Sequence, residues 1–348
     1  MAQKKTADRA ALQTLKQQLS SGQPGQLYLF HGEEVYLRDF YLSRLRDLLV
    51  GGGMEEFNLH ALQGPQVTPQ SLEEAVDCLP MMSQRTLVLL TDFDPFKAGE
   101  ADRGRYAEIL GSLPDYCCVV LVYDLIPYKA DARTKLAAVF KEKGLVVQFA
   151  RQEQGDLVDW IRRRFRALGR DIDSELARYL IFLCGDLMNG LIGEIEKIGA
   201  YAKGSRVTRE DIDAVATPQL DAVVFQMTDA IAAGKADRAA RVLGDLYHMQ
   251  EHPIKILAAL GRQVRQFYAA RLALEAHRGA DYLVSLCGFR SAYPAQKLLD
   301  SARRFPLSWC RWAMARCGQT DLAMKSAGQD PQELLTTLLL ELAAPAEK

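Results

Sequence analysis

Leu27-Tyr28-Leu29-Phe30-His31-Gly32-Glu33-Glu34-Val35-Tyr36-Leu37-Arg38-Asp39 is the stretch on which the fold turns. A short apolar run, Leu27–Phe30, meets a glycine and then a helical pattern, the order of a strand, a turn and a helix. The helix is predicted over Val35–Leu49, with Leu37, Tyr41, Leu45 and Leu48 on one stripe, Arg38, Arg44 and Arg46 elsewhere, and Gly51-Gly52-Gly53 as its stop. In a nucleotide-binding α/β protein this junction carries the phosphate loop G-x-x-x-x-G-K-[ST]. Gly32 fits the first glycine, but Leu37 stands at the second, Arg38 replaces the lysine and Asp39 the magnesium-binding hydroxyl. Leucine brings a Cβ and bulk where backbone must curl around phosphate oxygens. Glu33, Glu34 and Asp39 set carboxylates against a triphosphate, a repulsion that a helix dipole of about 0.3–1 kcal/mol does not offset. Two readings stand at this point: a phosphate loop that has lost its chemistry, or an unrelated strand–turn–helix in which Glu33 and Glu34 favour the helix N-terminus.

Outward from this unit the alternation continues. Strands are predicted at Phe57–Leu62, Thr86–Leu90, Cys117–Tyr123 and Leu145–Phe149, short apolar runs suited to a parallel sheet covered on both faces. After Phe149 the strand signals cease. Trp160, Ile161, Phe165 and Leu168, then Leu176, Leu180, Leu183 and Leu187, then Leu191, Ile195 and Ile198 follow helical spacing. Thr208-Arg-Glu-Asp211 is a capping box, and Thr217-Pro218 closes the unit it opens. Asp330-Pro331-Gln332-Glu333 starts a last helix carrying Leu334, Leu335, Leu338, Leu339 and Leu342.

Composition bounds the function. The 348 residues hold 43 Lys+Arg and 44 Asp+Glu, a net charge of −1, with 49% hydrophobic residues, enough for two or three globular domains. Such a balance lacks the basic field of an independent nucleic-acid binder, so any DNA contact is local or shared. Residues from Gln219 onward carry 16 basic and 13 acidic side chains, an excess of +3 that marks no DNA site by itself. No apolar run reaches a membrane span, and Met1–Leu19 mixes charges without the apolar h-region of a secretory signal, so a cytoplasmic location is expected. Seven cysteines, an odd number without a C-x-x-C pair, read as buried thiols.

Other motifs are weaker. Leu79-Pro80-Met81-Met82-Ser83-Gln84-Arg85 puts apolar residues in the connection between a helix at Pro69–Cys78 and the strand Thr86–Leu90. Either the methionines pack under the sheet edge, the commoner fate of apolar loop residues, or they form an exposed, adaptable wedge for a partner's pocket. His248-Met-Gln-Glu251-His252 spells an inverted zinc motif, yet Pro253 puts His252 at a helix end, away from His248's face. The arginines of Trp160–Arg166 read as a solvated helix surface and Asp321/Lys325 as a surface pair. No Ser/His/Asp constellation or paired-carboxylate site emerges.

Taken together, Tyr28–Leu37, Leu79–Leu89 and Asp321-Leu-Ala-Met-Lys325 resemble the DNA polymerase III delta subunit family from end to end. The resemblance implies an AAA+-like five-stranded parallel sheet domain (1–149), a small helical lid (150–217) and an all-α collar (218–348). It implies a clamp-loader subunit that hydrolyses no ATP, needs no cofactor or metal, and has no catalytic site of its own, although the holoenzyme is a nucleotidyltransferase. Its partners would be the sliding clamp (the beta subunit), the tau/gamma and delta prime subunits in a hetero-pentameric ring, and primer–template DNA within that complex, with no membrane. The clamp would be bound by Met81 and Met82, flanked by Leu79 and Pro80, where other members often carry larger or aromatic residues. Gly32, Leu37, Arg38 and Asp39 would be a phosphate loop that does not bind. The rival from another class is an active P-loop ATPase or nucleotide switch, and a third reading is an autonomous DNA binder with steep salt dependence.

Overall fold

The computed structural model describes residues 2–53, 55–129, 131, 133–326 and 328–344. Two compact units divide the backbone: residues up to Gln152 with Leu187–Asn189, and Glu153–Asp186 with the chain from Gly190 on. The fold class is as expected in its layers, a five-stranded parallel sheet unit followed by helices. Among the described residues only a single bridge, Asp171 to Arg206, is β-like after the fifth strand.

In the first unit the strands are β1 (Leu27–His31), β2 (Leu59–Gln63), β3 (Thr86–Thr91), β4 (Cys117–Val122) and β5 (Gly144–Gln148). They lie in the order β2-β3-β4-β1-β5, all parallel, with Leu27 opposite Val119 and Gly144. Each strand sends alternate side chains to opposite faces. Leu27, Leu29, Val88, Leu90, Val119 and Leu121 join one core, under helices Pro69–Asp77, Glu100–Gly111 and Lys135–Glu142. Tyr28, Phe30, Leu87, Cys118 and Val120 join the other, under helices Ala2–Ser21 and Val35–Val50. Coverage on both faces explains why β4 reads as an unbroken apolar run, all six of its residues being buried.

Three sequence expectations need correction here. Phe57 is no strand residue: Glu55–Asn58 forms a helical turn, and β2 starts only at Leu59. On helix Val35–Val50 the buried residues are Arg38, Leu45, Leu49 and Val50, whereas Leu48 is exposed, because Arg38 is drawn inward by a distant carboxylate described below. Cys78 is exposed and Cys287 half-buried, while Cys117, Cys118, Cys184, Cys310 and Cys317 are buried free thiols. Burial pushes the Cys117 thiol up to about 11 and that of Cys184 up to about 12, so both stay protonated and inert at neutral pH.

The second unit comprises the helices from Gln154–Ala167 to Pro331–Ala343. Its starts are as the sequence signals them. Thr208 and Asp211 form the reciprocal capping box, and Asp330 accepts from Gln332 N–H with Pro331 following. Helix Pro253–Glu275 runs through the main core, where Phe305 stacks on Trp309 at 4.0 Å between ring centres, and Leu335, Leu338, Leu339 and Leu342 pack into the same core. His248 ends one helix and His252 caps the next, its Nδ1 accepting from Ile254 N–H, so the two histidines share no helix face. Lys325 and Asp321 make the anticipated surface pair at 2.7 Å. The proposed division of this unit into lid and collar at 217/218 lies inside one compact body. No single helix among the described residues is long and apolar enough to cross a membrane.

Candidate functional site

The singled-out residues fall into two sets at opposite ends of the parallel strands. Gly32–Asp39 follows β1 and Leu79–Met82 precedes β3, and parallel strands put the end of one and the start of the other on opposite sides. Helix Val35–Val50, 16 residues and thus about 24 Å long, runs between them. At its far end Leu49 O accepts from Ser83 Oγ at 3.3 Å, beside the tip.

The loop after β1 is closed rather than cradle-shaped. The helix already begins at Val35, two residues before the position of a second glycine, leaving only Gly32–Glu34 as connection. A phosphate loop holds its ligand with free backbone N–H groups. Here Glu34 N–H donates to Phe149 O at 2.9 Å, and Phe149 N–H donates to His31 O at 2.7 Å. Gly32 sits at φ +126°, and a Cβ on it would lie 2.3 Å from Phe149 O. That glycine therefore permits backbone to touch backbone.

The charged groups of the loop are engaged, most of them by partners elsewhere in the chain. Arg38 is 4% exposed; its Nη1 donates to Asp124 Oδ1 at 2.8 Å and its Nε to Asp39 Oδ1 at 3.0 Å. Leu37 packs against the β1-side core. Glu33 pairs with Arg151 at 2.7 Å, and Glu34 is fully buried, its Oε1 accepting from Met188 N–H. Glu34 occupies the N-cap position but makes no capping side-chain bond. Beyond β3, Asp92 Oδ1 accepts from the N–H groups of Asp124 and Leu125 at 2.9 and 2.7 Å. Asp94 accepts from the Tyr123 hydroxyl at 3.0 Å, and burial, with Asp94 beside it, drives the acidity of that phenol far down. No group of three or more metal-binding side chains occurs among the described residues.

At the opposite end of the strands the connection before β3 is exposed and held. Leu79 is 71% exposed, Met81 56% and Met82 91%, with Pro80 half-buried. The methionines are thus surface residues, not a plug under the sheet edge. Asn58, fully buried, grips Met81 twice: Oδ1 accepts from Met81 N–H at 2.7 Å and Nδ2 donates to Met81 O at 2.9 Å. Met82 then takes a left-handed φ of +54°, a conformation costing a non-glycine residue about 1–2 kcal/mol. Arg85 Nη1 donates to Pro24 O at 3.1 Å, fixing the chain as it enters β3. Phe57, next to Asn58 in the chain, and Leu48, next to Leu49, are also exposed.

Sequence reasoning missed Asn58, Asp124 and Phe57. The available signal for Asn58 was a lone amide at the start of an apolar run, where a side chain that bonds backbone is better placed than in a strand. Replacing Asn58 by alanine strands the Met81 N–H and is expected to lower stability by about 1–3 kcal/mol. Hydrogen exchange of the Met81 amide should rise with it; an unchanged exchange rate would mean that Asn58 does not hold the tip.

The family model described as DNA polymerase III, delta subunit, matches residues 28–150, and that described as DNA polymerase III delta subunit, C-terminal domain, matches 221–342. The chain is 24% identical over 340 residues to the DNA polymerase III subunit delta of Bacillus subtilis, covering 95% of this chain and 96% of that protein. It is 22% identical over 254 residues to the probable DNA polymerase III subunit delta of Aquifex aeolicus, covering 71% of each. The solved structure of the Bacillus subtilis DNA clamp loader delta protein superposes with a TM-score of 0.58 at 22% identity, over 95% of this chain and 99% of that one.

Proposed function

Since the chain belongs to the DNA polymerase III delta subunit family, we propose that it is the clamp-loader subunit that grips the sliding clamp through Leu79–Met82 and biases it towards an open ring, without hydrolysing ATP itself. The observation that carries this reading is the exposed apolar tip, its backbone clamped by the buried Asn58. An exposed side chain on an already ordered backbone costs less ordering on binding than one on a floppy loop. Methionine adapts its shape to a pocket, so Met81 and Met82 enter the clamp while Leu79, Pro80 and Phe57 seat against its rim. The grip opens the ring only through differential affinity: binding the open form about 2.7 kcal/mol better shifts the ratio a hundredfold.

Gly32, Leu37, Arg38 and Asp39 form a phosphate loop without a phosphate site. The lysine-equivalent Arg38 is neutralised by Asp39 and Asp124, and the loop's Glu34 N–H is bonded to Phe149. Nucleotide control then belongs to neighbouring subunits of the loader, with residues 150–217 as a lid and 218–348 as the collar that joins the ring. A fluorescent ATP analogue with magnesium is expected to show no saturable binding to this chain up to about 1 mM, a free energy near −4 kcal/mol. Micromolar, magnesium-dependent binding would favour the rival, an active P-loop ATPase. For opening itself, clamps closed on circular DNA should be released faster when this chain alone is added. Release at the spontaneous rate, despite clamp binding, would refute ring opening.

A further inference from the structure

Positive charge is gathered in one cleft of the second unit, although the whole chain is balanced at 43 basic and 44 acidic residues. The cleft, about 610 Å³, lies among helices Ser174–Cys184, Arg209–Val215 and Leu220–Ala232 and the start of Ala236–His248. Arg209, Lys235, Arg238, Lys297 and Arg304 line it, against Asp213 and Asp229. Both aspartates are already engaged. Asp213 accepts from the Tyr179 hydroxyl at 2.5 Å and lies 3.5 Å from Arg209. Asp229 accepts from Ser301 Oγ at 3.0 Å and lies 3.8 Å from Arg304.

Three cations remain in excess. Lys235, Arg238 and Lys297 form no ion pair among the described residues, and the Lys297 ammonium stands over the Tyr293 ring at 5.3 Å. An adjoining opening shares Lys235 and Arg238 and adds Asp237 and Arg241. It surrounds the N-terminus of helix Ala236–His248, a 13-residue helix whose Lys235 N-cap offers no capping side chain. That end of a helix carries positive potential, so cations crowded there repel both the dipole and each other. An anion with several charges relieves this repulsion; a single phosphate meets only part of it.

We infer that this cleft binds the phosphodiester backbone of nucleic acid, with Lys235, Arg238 and Lys297 as its contacting cations. A chain of evenly spaced phosphates can meet cations on both sides of Lys235 at once, and such contacts position nucleic acid without reading its sequence. The site is independent of the Leu79–Met82 tip, so it stands or falls separately from the clamp-binding reading.

The test is fluorescence anisotropy of the full chain with a labelled duplex of about 30 base pairs and with the matching single strand, from about 50 to 200 mM salt. The logarithm of the binding constant should fall linearly with the logarithm of salt. Lys235→Gln/Arg238→Gln/Lys297→Gln should weaken binding about tenfold or more at low salt. Losing three phosphate contacts should flatten the slope by about three on duplex and about two on single strand. Lys235→Arg/Lys297→Arg, which keeps the charge, should retain affinity, and so should Met81→Ser/Met82→Ser. The form bound more tightly identifies duplex or single strand as the source of the backbone. An unchanged slope in the triple variant, with its unfolding midpoint intact, would overturn the assignment. So would polyglutamate displacing the DNA equally well at equal charge, which would make the cleft a site for an acidic protein.

Discussion

Exchanging Met81 and Met82 together for serine is expected to lower the affinity for the sliding clamp at least a hundredfold while leaving the thermal midpoint within about 2 °C of the unaltered chain. Both halves of that expectation come from exposure. Met82 is 91% and Met81 56% exposed, so the folded chain alone loses little when their side chains shrink. In the complex, each methionine moved out of water contributes roughly 1.5–3 kcal/mol, and two together exceed the roughly 2.7 kcal/mol of a hundredfold change. The Asn58 bonds go to the Met81 backbone and survive the exchange. Calorimetric titration with purified clamp, alongside a melting curve, separates the outcomes. A large drop in midpoint would make the methionines structural, and an undiminished affinity would move the contact elsewhere.

Gly32→Ala is expected to have the largest effect on folding. The new Cβ would fall 2.3 Å from Phe149 O and 2.8 Å from Phe149 N, atoms of a backbone that cannot swing aside as a side chain would. It would also sit at φ +126°, outside the regions open to residues with a Cβ. Strain and broken bonds to β1 and to Glu34 together should remove about 3 kcal/mol or more, a fall of roughly 6–12 °C in the midpoint of a unit this size. Melting curves without nucleotide check this. A variant as stable as the parent would mean that the turn after β1 is looser than the bonds to Phe149 imply, and would reopen it as a ligand cradle.

These two positions also mark what could be read from the sequence. Apolar runs and local caps carry their own signal, because strands β1 to β5 and the starts at Thr208 and Asp330 depend on neighbours a few residues away. The departure from the phosphate-loop motif was legible for the same reason: Leu37, Arg38 and Asp39 stand at fixed offsets from Gly32. Long-range partners were not legible. Nothing near Arg38 announces that Asp124, 86 residues on, draws it into the interior, so the helix stripe was placed on Leu48 instead of Leu49. Asn58 reaches Met81 across 23 residues, and its helical turn was hidden in what reads as strand. Helix Ala2–Ser21 was not anticipated, although Leu12, Leu15 and Leu19 recur at helical spacing and Leu15 is fully buried. Whether Met81 and Met82 faced core or water was open from sequence, since methionine serves either place equally well.

The two ends of the strands in the sheet unit differ in character. At one end the turn after β1 is bonded to Phe149 through Glu34 N–H, and Arg38 is bonded to Asp124. Helix Val35–Val50 links it to the other end, where the apolar tip stands in solvent. On this account the unit is a fixed mount for the tip, and its grip needs no bound nucleotide. The most direct measurement is a titration of purified sliding clamp into the full chain, with and without ATP and magnesium. The account predicts the same tight affinity in both, with no ATP consumed; binding that appears only with ATP, or no binding in either condition, would contradict it.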